Sequence, residues 1–189
     1  MFSYILTNDK NRTGMLVSKG DPHMNTSKIT PKVNQTRISA AALMRLAGFS
    51  ATLAGLGIIV LGMFHPANEA AFVTTPAWII VHIFATSLGF FGLLGLAGLY
   101  ARQVEKAGWL GLIGFLLFSA WMALVGMLSF IEAALLPKMA SAFPPFVDSF
   151  LGMFSSIPSQ VDLGVLPMLW TISTPMVLIG SLLFAIATF

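Results

Sequence analysis

The sequence predicts an all-α fold: an integral membrane four-helix bundle with a cytoplasmic N-terminus and a disordered N-terminal tail. Three observations carry that expectation. Hydrophobic residues make up 57% of the chain and charged residues 9%, where an ordinary soluble domain is about one quarter charged. Four uncharged apolar runs each reach the ~20 residues that a membrane helix needs. Lys and Arg gather on one side of those runs, as the positive-inside rule requires of the cytoplasmic side. A length of 189 residues would also suit one soluble domain, so the fold class rests on the runs and not on length.

Residues 1–38 are rich in Asn, Thr, Ser and Lys and carry no sustained apolar period. They are expected to form a disordered cytoplasmic tail. Met24 opens a second plausible start, so Met1 and Met24 are both candidate initiators. Residues 39–189 form the expected transmembrane domain. Its first helix, about 42–65, holds the uncharged run Leu46 to Phe64, with Ser39 as N-cap and His65-Pro66 as its end. The second helix is expected at about 77–100, just after Pro76, and the third at about 108–134, opening on Gly108-Trp109. The fourth runs from 163 to 189. Because it ends at Phe189 without a polar flank, a product truncated after this helix and a true C-terminus are both open readings.

Seven of the ten Lys and Arg, from Lys10 to Arg45, precede or open the first run, and Arg102 and Lys106 lie between helices 2 and 3. The opposite loops hold only Lys138. This asymmetry places the N-terminus inside, and Trp78, Tyr100 and Trp109 fall where interfacial aromatics are expected. In the loop after helix 3, Phe143, Phe146, Phe150 and Phe154 recur at helical spacing, which predicts an interfacial helix at 145–156 lying on the membrane. Pro144, Pro145 and Pro158 favour instead an irregular loop tucked over the bundle.

Chemistry is sparse. The absence of cysteine removes disulfides, thiolate metal sites and cysteine nucleophiles. His82 is the clearest intramembrane ionisable residue, about one and a half turns into helix 2, on a stripe with Thr75, Trp78, Thr86 and Gly89 that should face the bundle. The bland reading is a neutral ring hydrogen-bonded to Thr86, a carbonyl or a neighbouring helix. His65 and Glu132 come to the same membrane face at the ends of helices 1 and 3, and Glu69 lies in the intervening loop. Two imidazoles and a carboxylate are suitable ligands for a divalent metal, and two imidazoles could ligate haem b. Snorkelling at the interface is the plain alternative for His65 and Glu132, and a solvated charge the plain reading of Glu69.

The small residues Ala47, Ala51, Ala54, Ile58 and Gly62 of helix 1, and Gly89, Gly92, Gly95 and Gly98 of helix 2, are read as packing stripes. In helix 4, Pro175 leaves the Thr171 carbonyl without its helical donor, which predicts a kink of the kind that can line a transport cavity. Nucleic acid is not an expected partner. The expected ones are the lipid bilayer, further copies of the chain and other membrane subunits.

Several motifs together resemble a family of multi-spanning bacterial membrane proteins, the DUF4386-like group. They are His65-Pro66, Trp78 four residues before His82, Gly98-Leu99-Tyr100-Ala101-Arg102-Gln103, and Glu132 late in helix 3. The resemblance covers residues 42–189 and implies a bacterial inner membrane and an architecture of about six helices, but no activity. The first functional expectation is therefore a non-enzymatic membrane protein, structural, accessory or part of a transporter, with no cofactor. The second is a metal- or haem-binding protein with an outer-face site formed by His65, His82 and Glu132.

Overall fold

The computed structural model describes residues 38–188, so the expected tail falls outside the described residues apart from Ile38. All regular structure among the described residues is helical: α1 (Ala40–Phe64), a 3₁₀ turn (Ala70–Phe72), α2 (Pro76–Ala134), α3 (Leu136–Ala142), α4 (Pro144–Phe154) and α5 (Leu166–Thr188). Three of these, α1, α2 and α5, are long and apolar enough to cross a membrane.

Helix α1 starts where its cap dictates. The Ser39 side chain accepts from the Ala42 N–H at 3.1 Å, satisfying one of the donors that a helix start leaves free. It ends at His65, whose extended backbone suits the residue before a proline.

Helix α2 contains a helical hairpin. Gly108, at φ 54° and ψ −158°, is its only non-helical residue and divides it into arms 76–107 and 109–134. The arms run antiparallel: Tyr100 stacks on Phe115 at 4.5 Å, and Gly89 backs onto Gly126, where a Cβ would come within 3.2 Å of the facing Cα. The expected turn over residues 101–107 is therefore corrected to a single residue. The segment Ala101 to Ala107 contains no helix breaker, and Ala, Arg, Gln, Glu and Lys are good helix formers. The chain reverses at the first glycine, where positive φ carries no steric cost.

Small residues set the remaining contacts. Ala47, Ala51 and Ala54 of α1 face Gly98, Gly95 and Gly92 of the first arm, and a Cβ at Gly95 would lie 2.6 Å from the Ala51 Cα. The expected stripe does not extend to Ile58, which is 48% exposed; Gly57 takes its place and receives the Leu88 side chain. On the other side, Gly180 of α5 meets Phe118 and Gly114 meets Phe184. Helices α1 and α5 thus each pack on one arm of the hairpin, and against each other they make little contact.

The end opposite Gly108 is closed by a cap, α3 and α4. Val147 and Phe150 of α4 are fully buried with Trp78, Leu128, Leu136 and Leu163. The phenylalanine stripe does form a helix, as its spacing predicts, but one packed onto the bundle end and not lying free on a surface. Pro144 opens α4 at a position where a missing N–H costs nothing. Trp78 is corrected as well: it is not interfacial but wholly buried beneath this cap. Helix α5 begins at Leu166, three residues later than expected, after a turn in which Gly164 adopts φ 59° and donates to Asp162 at 2.7 Å. It runs unbroken through Pro175.

Candidate functional site

The first turn of α2 fixes the geometry of the site. Thr75 accepts from the Trp78 N–H at 3.3 Å, and Pro76 follows at the helix start. With the start pinned, Trp78 and His82 lie one turn apart on the inward face. Their ring centroids lie 4.2 Å apart, with the planes tilted by 31°. The His82 Nδ1 lies 2.8 Å from the Trp78 carbonyl oxygen, an acceptor only, so Nδ1 carries the proton and donates. Thr86 bonds the backbone carbonyl of His82 at 2.8 Å and not its ring.

The second arm supplies Glu132. Its backbone carbonyl accepts from the Trp78 indole Nε1 at 3.0 Å, and its Oε2 lies 3.4 Å from the His82 Nε2. This approach is close but misaligned for a hydrogen bond, so Nε2 is buried without a hydrogen-bond partner. His82 is 1% exposed and Glu132 6%. The snorkelling alternative therefore fails for Glu132, which turns into the bundle because Trp78 holds its last turn against the first arm.

His65 stands at the rim. It is exposed, its Nδ1 is bonded to the Pro66 carbonyl at 2.7 Å, and its ring meets His82 edge to face at 5.0 Å. Together these residues open onto a cavity of about 400 Å³, which is also lined by Asn68, Ser129, Phe154 and Trp170. Loop residue Glu69 is exposed and does not line this cavity.

All three predicted ligands, His65, His82 and Glu132, reach this cavity, yet among the described residues no three His, Asp or Glu side chains converge to hold a metal. The haem expectation fits less well. Two imidazoles in edge-to-face contact leave no gap for a porphyrin between them, and axial ligation needs both rings to address one iron. Thr171 and Pro175 are exposed on α5 and do not line this cavity. The Thr171 hydroxyl bonds the Pro167 carbonyl instead.

Sequence reasoning missed Trp78 as the clamp, and it missed Ser129, Phe154 and Trp170 as walls. Ser129 had a signal, since it precedes Glu132 by three residues on one helix face. Phe154 and Trp170 had none, because their contact at 4.8 Å depends on how the cap folds back.

Fold and site define a helical protein with membrane-length apolar helices and one capped, buried histidine–carboxylate pair. No family model, curated protein or solved structure matches the chain. Four residues singled out in the sequence, His65, Trp78, His82 and Glu132, meet at this site.

Proposed function

We propose that this chain is a non-enzymatic multi-pass protein of the bacterial cytoplasmic membrane, N-terminus inside. Its capped outer end binds an uncharged, hydrogen-bonding ligand in the cavity at His82 and Glu132. One observation carries the reading: a buried imidazole nitrogen without a hydrogen-bond partner lies 3.4 Å from a buried carboxylate, and both residues line one cavity. Unsatisfied buried polar atoms are costly, and ionisable groups at membrane depth mark functional positions by default. A ligand that donates to Nε2 removes that cost. The orientation is supported by Arg45, Arg102 and Lys106: the antiparallel pairing of Ala47 with Gly98 brings all three to the Gly108 end.

Cysteine labelling tests pocket and orientation together, because the chain has no cysteine of its own. Ser129→Cys, on the cavity wall, should react with a small membrane-impermeant methanethiosulfonate added to spheroplasts, while Ser50→Cys, buried in α1 away from the cavity, should not. Labelling only in inverted vesicles reverses the orientation. Labelling in neither rejects the open pocket.

One observation favours a second reading, a divalent metal. Both His65 and His82 engage a backbone carbonyl through Nδ1, the outer arrangement that metal-ligating histidines adopt. These two rings and Glu132 would be the ligands only after the three side chains draw together, since they do not converge as they stand. Metal analysis of the purified protein beside His82→Ala decides: stoichiometric metal lost in the variant supports this reading, and its absence from both removes it.

A further inference from the structure

The walls of the His82 cavity include no Lys or Arg. An anionic headgroup would face Glu132 with no cation to offset it, so phosphate-bearing ligands fit poorly. Trp170 and Phe154, edge to face with each other at 4.8 Å, line the cavity, and His82 and Glu132 add hydrogen-bonding groups to it. Aromatic lining residues favour a ligand ring, met edge to face or offset-stacked.

A second cavity of about 310 Å³ lies further toward the Gly108 end, lined by Ala54, Gly55, Ile58, Gly92, Trp121 and Met122 among others, all apolar in character. The two linings use the same helices. Leu61 of the first and Ile58 of the second are three residues apart on α1, as are Val125 and Met122 on the second arm, a rise of about 4.5 Å. Trp170 and Val177 mark the same descent on α5. Both cavities therefore sit along the seam where α1 and α5 make little contact, polar at the cap end and apolar below.

We infer that the two cavities form one site for an uncharged amphipathic molecule of the lipid-soluble quinone class. Its flat ring, bearing a carbonyl or hydroxyl, seats in the cavity beside the His82–Glu132 pair, whose 3.4 Å separation admits no ring between them, and its apolar tail lies along the α1–α5 seam. The inference rests on the pocket reading above and adds the ligand's class and its route, sideways from the lipid. A ring hydroxyl donates to Nε2, and a ring carbonyl accepts from the Glu132 carboxyl in its protonated form. Only binding is proposed.

The test uses the full chain in nanodiscs and reads tryptophan quenching, since Trp170 and Trp121 line the two cavities. The probes are decylubiquinone, which has a tail, and duroquinone, which has none. Gly55→Leu adds bulk to the wall of the apolar cavity at a position where a Cβ meets nothing within 4 Å. Decylubiquinone should bind at least about tenfold more tightly than duroquinone, a gap of about 1.4 kcal/mol. Gly55→Leu should abolish that advantage and leave duroquinone binding unchanged. His82→Gln should weaken both probes by about tenfold, with Glu132→Gln as a second head variant should the first fail to fold.

Equal binding of both probes, indifferent to Gly55→Leu, overturns the tail site and leaves the pocket standing. Decylubiquinone binding that ignores His82 and Glu132 means an acyl-like chain in the seam alone, and overturns the inference. If neither probe binds, the inference falls while Ser129→Cys labelling independently decides the pocket.

Discussion

The Trp78 indole and the Glu132 backbone carbonyl, on opposite arms of one helical hairpin, share a 3.0 Å hydrogen bond that is fully buried. That bond holds the two arms together beneath the cap and brings the Glu132 carboxylate to 3.4 Å from His82. The site is therefore a by-product of hairpin closure: whatever loosens the arms at this end also opens the pair.

Trp78→Phe keeps a large ring in the core but leaves the Glu132 carbonyl without its donor. The expected loss is about 1–3 kcal/mol, and Trp78→Ala should lose about 3–5 kcal/mol. Thermal unfolding in detergent measures both, and an unchanged Tm for Trp78→Phe would mean that the indole bond contributes nothing.

His82 and Glu132 should be energetically coupled. Close buried pairs commonly show interaction energies of about 0.5–3 kcal/mol. In a double-mutant cycle of His82→Ala and Glu132→Gln, the losses should fail to add by at least about 0.5 kcal/mol. Strict additivity would show that 3.4 Å of separation carries no interaction.

Gly95 is where α1 and the hairpin approach closest in backbone terms, with a Cβ 2.6 Å from the Ala51 Cα. Gly95→Leu should force α1 away, while Gly55→Leu, facing open space, should not. The cysteine-free chain offers a direct readout: an Ala54→Cys, Gly92→Cys pair should form a disulfide, since a Cβ at Gly92 lies 3.8 Å from the Ala54 Cβ, the usual disulfide spacing. Adding Gly95→Leu should suppress it.

Gly108→Ala places a Cβ on a residue at φ 54° and ψ −158°. Such backbone regions cost non-glycine residues about 1–3 kcal/mol. A lowered Tm is expected, whereas Gly48→Ala, helical and free of neighbours within 4 Å, should leave Tm the same or higher.

Much of the candidate site was legible because its residues are rare. His65, His82 and Glu132 stand out among so few ionisable groups, and helical spacing already turned His82 inward. Trp78 was misread for a physical reason: an indole at the end of an apolar run looks the same whether it meets headgroups or a cap, and only α4 folding over it decides. Pro175 lies within α5 without ending it, since a proline in a helix leaves one carbonyl short of a donor while the turns on either side continue.

By itself the sequence determined the helical class, the apolar spans, the Ser39 cap and the small-residue faces, because each follows from local composition or from a period of 3.6 residues. Tertiary structure alone decided that the polar segment before Gly108 stays helical up to a one-residue turn, and that the phenylalanine stripe becomes a cap. It also decided that His82 and Glu132 meet around an unpartnered nitrogen, and that α1 and α5 leave a seam between them. These outcomes depend on which of several apolar faces pack together. A sequence states what each face is made of, and the contacts between faces settle where it goes.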